Sequence, residues 1–136
     1  MRKAQIVTDF TMIIIAAMII FLFIFSTINK RNDELSGTRT YLFAKQLADQ
    51  VASAVNTVHI AGDGTSREVV LPENLKDGTP YLITVEPGNR AVRIKWYYQN
   101  NQREYSSTIL TSNINGSLNF NTSVNLTNVR GTVQVT

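Results

Sequence analysis

The residue with the greatest chemical consequence is Asp9, one position before the apolar run FTMIIIAAMIIFLFIF. A carboxylate at the edge of an oily helix is costly in low dielectric unless a cation meets it. Arg2 and Lys3 precede it, and the small residue Ala4 separates them from Gln5. Other reactive groups are sparse. His59 is the only histidine and cysteine is absent, so disulfides, thiolate sites and a histidine metal cluster are excluded. His59 falls near the expected end of a long helix, where capping of the last carbonyls or simple solvation is the expected role. The segment AGDGTS lacks the lysine and the strand-to-helix setting of a phosphate loop. No catalysis, cofactor or metal is therefore expected.

The remaining candidate chemistry lies at the surface. The triplets NGS, NTS and NLT make Asn115, Asn121 and Asn125 glycosylation acceptors. Leu118, Phe120, Val124 and Leu126 share one parity and the three asparagines the other. Read as one strand, this segment turns its apolar side chains inward and Asn121 and Asn125 outward. Asn115, beyond the ING turn, has no direction fixed by that pattern. In KWYYQNN, Trp96 has core parity, whereas Tyr97 faces outward as a possible stacking surface for sugars or bases.

The elements that position these residues follow from periodicity. Phe10 to Asn29 carries no charge and, as a helix, spans roughly 30 Å, the thickness of a bilayer's hydrocarbon core. Beyond the polar stretch STINKRNDELSGTR, the residues Tyr41, Ala44, Ala48, Val51, Val55 and Val58 form one helical seam, widened by Leu47 and Ala54. Lys45, Asp49 and Gln50 lie off it. No proline occurs before Pro72, so one helix from Gln5 to Val58 is allowed, roughly 80 Å long, with Gly37 as the expected bend. Gly62 and Gly64 then break it. Period-two segments follow: REVVLP, PYLITVE, AVRIKWYY, REYSSTIL, SLNFNTSVNLTNV and GTVQVT, with turns at EPGNR, QNNQ and Arg130-Gly131. The expected fold is α+β: a long amino-terminal helix, apolar then amphipathic, packed on a small antiparallel sheet or sandwich.

The net charge is +3. From His59 onward basic and acidic residues nearly balance, so no basic stripe remains for nucleic acid. An ordinary secretory signal has its cleavage site after the apolar core, and FSTINKRNDEL offers none. An uncut signal anchor, with Arg2 and Lys3 on the cytoplasmic side, fits the composition. The order RKA-QIVTD followed by an apolar helix, however, resembles the class III signal peptide of archaeal type IV pilins. Archaellins share that export route, but their helix usually opens glycine-rich, unlike QIVTDF.

The resemblance implies cleavage by a prepilin peptidase within the Lys3, Ala4, Gln5 sequence, between Ala4 and Gln5. Asp9 then becomes the fifth mature residue, where bacterial relatives usually carry glutamate. It implies that Asp9 meets the new α-amine of Gln5, on its own or a neighbouring subunit, during assembly; alternatively Asp9 sits at headgroup level and touches water. The implied organisation is a leader at 1–4, a hydrophobic helix at 5–29, its amphipathic continuation at 30–58 and a β-rich head at 59–136. The implied partners are further copies in a helical homopolymer, the prepilin peptidase, the pilus assembly machinery and, for the precursor, the membrane. The expected product is an extracellular, glycosylated filament on the cell surface suited to adhesion. The alternatives are a non-polymeric, membrane-anchored extracytoplasmic binding domain, or a minor pilin or pseudopilin.

Overall fold

In the computed structural model the backbone is described for residues 2–116, 119–120 and 123–136, and side chains from Asp9 onward within those limits. The chain divides into two compact units, Met1–Gly37 and Thr38–Thr136. One helix, α1 (Arg2–Ala61, 60 residues), contributes to both. It continues as helix through Gly37.

In the first unit the described side chains of α1 are exposed on every side, save for half-covered Gly37. Nothing in water rewards such a surface. A helix apolar all round fits lipid or the interior of an assembly.

In the second unit α1 is amphipathic, and its stripe is buried. Ala44, Ala48, Val51, Ala54, Val55 and Val58 are fully buried, and Leu47 nearly so. Tyr41, the first residue of the predicted seam, is instead 42% exposed, while Thr40 beside it is buried. The stripe drifts because 3.6 residues per turn does not match the three-four spacing over a long run. Alanine-rich turns bring α1 close to the sheets without losing helix propensity. Gly62 ends α1 in the left-handed region at φ 88°, where a side chain would be strained.

Among the described residues eight strands follow: β1 (Ser66–Val69), β2 (Tyr81–Glu86), β3 (Ala91–Tyr98), β4 (Asn101–Thr108), β5 (Ile114–Gly116), β6 (Asn119–Phe120), β7 (Val124–Val129) and β8 (Thr132–Val135). They form two four-stranded sheets, ordered β1-β7-β8-β5 and β4-β3-β2-β6. All pairings are antiparallel except β5 with β8. The α+β architecture expected from periodicity is what forms.

Period two places Tyr81, Ile83 and Val85 of β2 and Val92, Ile94 and Trp96 of β3 in the core. Leu126, Val133 and Val135 of the other sheet join the same apolar cluster, together with the stripe of α1. Each such side chain contributes about 1.5–3 kcal/mol of burial. Between β2 and β3 the turn Pro87–Asn89 is a short 3-10 helix, closed by Arg90 in the left-handed region.

The segment read as one strand from Leu118 to Val129 is two. β6 pairs with β2, whereas β7 pairs with β1 and β8 in the other sheet. Its inward parity survives the split: Phe120, Val124 and Leu126 are buried.

Asn128 sits on the inward parity of β7 and is 1% exposed. Its Nδ2 donates to the carbonyls of Val58 (3.1 Å) and His59 (3.4 Å), and its Oδ1 accepts from the Gly131 amide at 2.9 Å. This side chain caps the carboxyl end of α1 and braces the β7–β8 turn, in which Arg130 and Gly131 both have positive φ. Asp63 secures the same turn by accepting from the Arg130 amide at 2.6 Å. Replacing Asn128 with Ala should cost about 2–4 kcal/mol, because buried backbone partners lose their bonds. Urea unfolding checks this, with exposed Asn125→Ala as a control expected to change stability by less than about 1 kcal/mol.

Candidate functional site: the amino-terminal segment and the sequon face

From Phe10 to Ile28 the large apolar residues of α1 are between 43% and 75% exposed. Phe21 and Phe25, one turn apart, stack with ring centroids 6.3 Å apart. Thr27 returns its hydroxyl to the Phe23 carbonyl at 2.9 Å, so a polar residue in this segment is satisfied within its own helix. The segment is long and apolar enough to cross a bilayer. Asp9 stands exposed at its amino edge. The side chains of Lys3, Ala4 and Gln5 lie outside the described residues, although their backbone belongs to α1. Gln5 and Asp9 are four residues apart along the backbone of that helix.

The sequons divide between described and undescribed positions. Asn121 lies outside the described residues. Asn125 is exposed on β7, as parity predicts. Asn115 is in β5 and not beyond a turn, since ING itself is a strand. Across that sheet Asn115 aligns with Gln134, and Gln134 with Thr127, in one row. Aligned residues share a face, so Asn115 lies on the same outer surface as Thr127 and Asn125. The sheet therefore settles the direction that the linear pattern left open. On that surface Ser66 donates to Asn125 Oδ1 at 3.0 Å, and its hydroxyl also lies 3.1 Å from that of Thr127. One serine of β1 thus bridges the asparagine and the hydroxyl residue of a single sequon.

A second polar surface lies on the other sheet. Tyr97 points outward at 61% exposure, while Trp96 is core. On the outward face of β3, Arg93 pairs with Glu86 at 3.0 Å and with Glu104 at 3.7 Å. Arg93 and Glu86 are half-buried and Glu104 is exposed, so the ladder remains open to solvent screening.

His59 caps nothing with its ring. Its Nδ1 is buried without a hydrogen-bond partner, and the terminal carbonyls are met by Asn128 instead. A polar residue at an inward strand position was the sequence signal for that cap. Among the described residues no group of three or more histidine, cysteine or acidic side chains is arranged to hold a metal.

Polar contacts beyond the Asn128 cap also anchor the packed half of α1. Tyr105 donates to Asp49 at 3.2 Å, beneath the Lys45 ammonium 5.7 Å from its ring centroid, and Tyr41 meets it edge-on. Burial, followed by the Asp49 charge and its hydrogen bond, pushes the Tyr105 phenol upward in pKa. At the start of this unit Thr40 donates to Asp77 at 2.8 Å, and Asp77 in turn accepts from the Thr79 amide at 3.1 Å. Partial burial opposes ionisation of Asp77, but these hydrogen bonds to the carboxylate outweigh it and lower its pKa below the ordinary 3.8.

Comparison with protein-family models, with curated proteins and with solved structures found no match to this chain.

The lowered pKa of Asp77 sets a pH dependence. A carboxyl depressed on folding stabilises the fold above its unfolded value and loses that contribution as pH falls through the folded value. Asp77→Asn should therefore be less stable than the parent at neutral pH, with the gap closing below pH 3.8. Urea midpoints at pH 7 and near pH 3 check this. A gap of equal size at both would contradict it.

Proposed function

We propose that this chain is the structural subunit of an extracellular type IV pilus-like filament of the archaeal kind. The observation that carries this reading is the apolar first half of α1, exposed on every side and led by RKA-QIVTD. Exposed side chains of that size each forgo about 1.5–3 kcal/mol of burial, so the segment needs lipid or further copies around it. The precursor is held in the membrane by this helix. A prepilin peptidase removes residues 1–4, and the apolar helix then leaves lipid for equivalent helices of neighbouring subunits. Contacts of that head-to-tail type do not close on themselves and propagate as a filament. The β-rich head forms the outer wall, where adhesion would take place.

Asp9 has a specific part in this reading. Cleavage leaves an α-amine at Gln5 with an ordinary pKa near about 7.7–8.0, largely protonated at neutral pH. In the low dielectric of a helix core that ammonium and the Asp9 carboxylate attract far more strongly than in water. Breaking a buried pair costs about 3–5 kcal/mol, enough to weaken subunit association about a hundredfold or more.

Asp9→Ala should therefore leave precursor at parental levels in the membrane while filaments disappear from sheared cell-surface fractions viewed by electron microscopy. Unchanged filament yield would reject the pairing. A parent strain that makes no filaments and keeps the protein in the membrane would favour the anchored binding domain. The exposed sequon face supports decoration of the outer wall. Changing Asn115, Asn121 and Asn125 singly to Gln should remove discrete glycan masses, and an unaltered mass for all three would contradict decoration.

A further inference from the structure

We propose that Asn115-Gly116 is a self-modifying site, at which the Gly116 amide converts Asn115 to aspartate and isoaspartate through a cyclic imide. The proposal goes beyond filament assembly and does not depend on it.

Three features of β5 carry it. The first is the fold's demand for glycine. Gly116 has φ 111°, and a Cβ there would lie 2.1 Å from the Val135 carbonyl oxygen of β8. No other residue fits, so the amide that follows Asn115 is always unhindered by a side chain. The second is proximity. The Gly116 amide donates to Asn115 Oδ1 at 2.9 Å. A carbonyl bond is about 1.2 Å long, so Asn115 Cγ lies no more than about 4.1 Å from that nitrogen. That bond keeps the amide nitrogen beside Cγ before its proton is lost, and holding the groups together replaces a conformational search. The third is solvent access, since Asn115 and Gly116 are both exposed. Water and hydroxide reach them freely.

The reaction balances without any oxidant or reductant. Hydroxide removes the Gly116 amide proton, and the nitrogen forms a bond to Asn115 Cγ. The Cγ–Nδ2 bond then breaks, and Nδ2 takes up a proton from water and leaves as ammonia. Water next adds to one of the two imide carbonyls. Opening on one side gives aspartate at position 115, and on the other isoaspartate. The net change is consumption of one water and release of one ammonia.

The products differ from the parent in three ways. A negative charge arrives on the outer surface. In the iso product an extra methylene enters the backbone just where Gly116 aligns with Val135, so β5 loses its register on β8. The Nδ2 atom that a glycan would need is also gone. Modification and glycosylation of Asn115 therefore exclude each other on any one molecule.

The test uses the purified full chain, incubated at pH 6 and pH 8, with peptide mapping by mass spectrometry. Loss of ammonia followed by replacement of NH with O should appear at position 115 at least about tenfold faster than at Asn74, Asn113 or Asn125, each followed by a residue with a bulky side chain. The rate should rise with pH, by about tenfold per unit where amide deprotonation limits it. It should be no slower in the folded chain than in urea. Asn115→Gln should abolish the change in that peptide, and Ser117→Ala, which removes the sequon alone, should leave it intact. Conversion at 115 no faster than at the comparison asparagines would overturn the proposal, as would a folded rate about tenfold below the rate in urea.

Discussion

One helix carries two apolar surfaces, and among the described residues only one of them is covered. Between Ala44 and Val58 the stripe of α1 is closed over by two sheets. Between Phe10 and Ile28 the described residues offer no cover at all. Backbone hydrogen bonds are satisfied within the helix in either case, which is why the same secondary structure serves both surroundings. What differs is the solvent each surface requires. That difference is compatible with a first half that crosses a membrane, and the proposed assembly builds on it.

The head follows from having to end a long helix inside a small core. Four carbonyls at the end of α1 need donors, and its single histidine does not provide them. Asn128 supplies donors to two of them, the carbonyls of Val58 and His59, from a strand that arrives near the end of the sequence. The closing hairpin thus fastens the helix end, the loop after it and the turn at Arg130-Gly131 together. At the other end of the packed half, Thr40–Asp77 and Tyr105–Asp49 tie α1 to the second sheet and the loop before it. Polar groups at both ends fix the registry of a stripe whose apolar contacts alone would tolerate sliding.

Much of this fold was legible in the sequence because its signals are local. The Ala44-to-Val58 seam, the glycine stop at Gly62, and the alternation in YLITVE and AVRIKWYY depend on residues a few positions apart. What escaped depends on pairing over long range. The split puts Asn119–Phe120 at the edge of one sheet and Val124–Val129 between β1 and β8 in the other, and alternation is the same in either sheet. The parallel pairing of β5 with β8, and with it the common face of Asn115 and Asn125, belongs to the assembled sheet. Asn128 was visible as a polar residue among inward positions, but its partner carbonyls lie 70 residues away. In the amino-terminal segment the legible part was the order of charge, small residue, acid and apolar run. The consequence proposed for it, a peptide-bond cleavage and contacts between chains, is not written in the geometry of one copy.

The proposed filament requires the apolar segment to change surroundings, from membrane to assembled helices, after the residues before Gln5 are removed. The most direct measurement is the intact mass of the chain recovered from sheared cell-surface material. The account predicts a chain beginning at Gln5, lacking MRKA and present in filaments. Recovery of the chain only from membranes, with Met1 still in place, would contradict it.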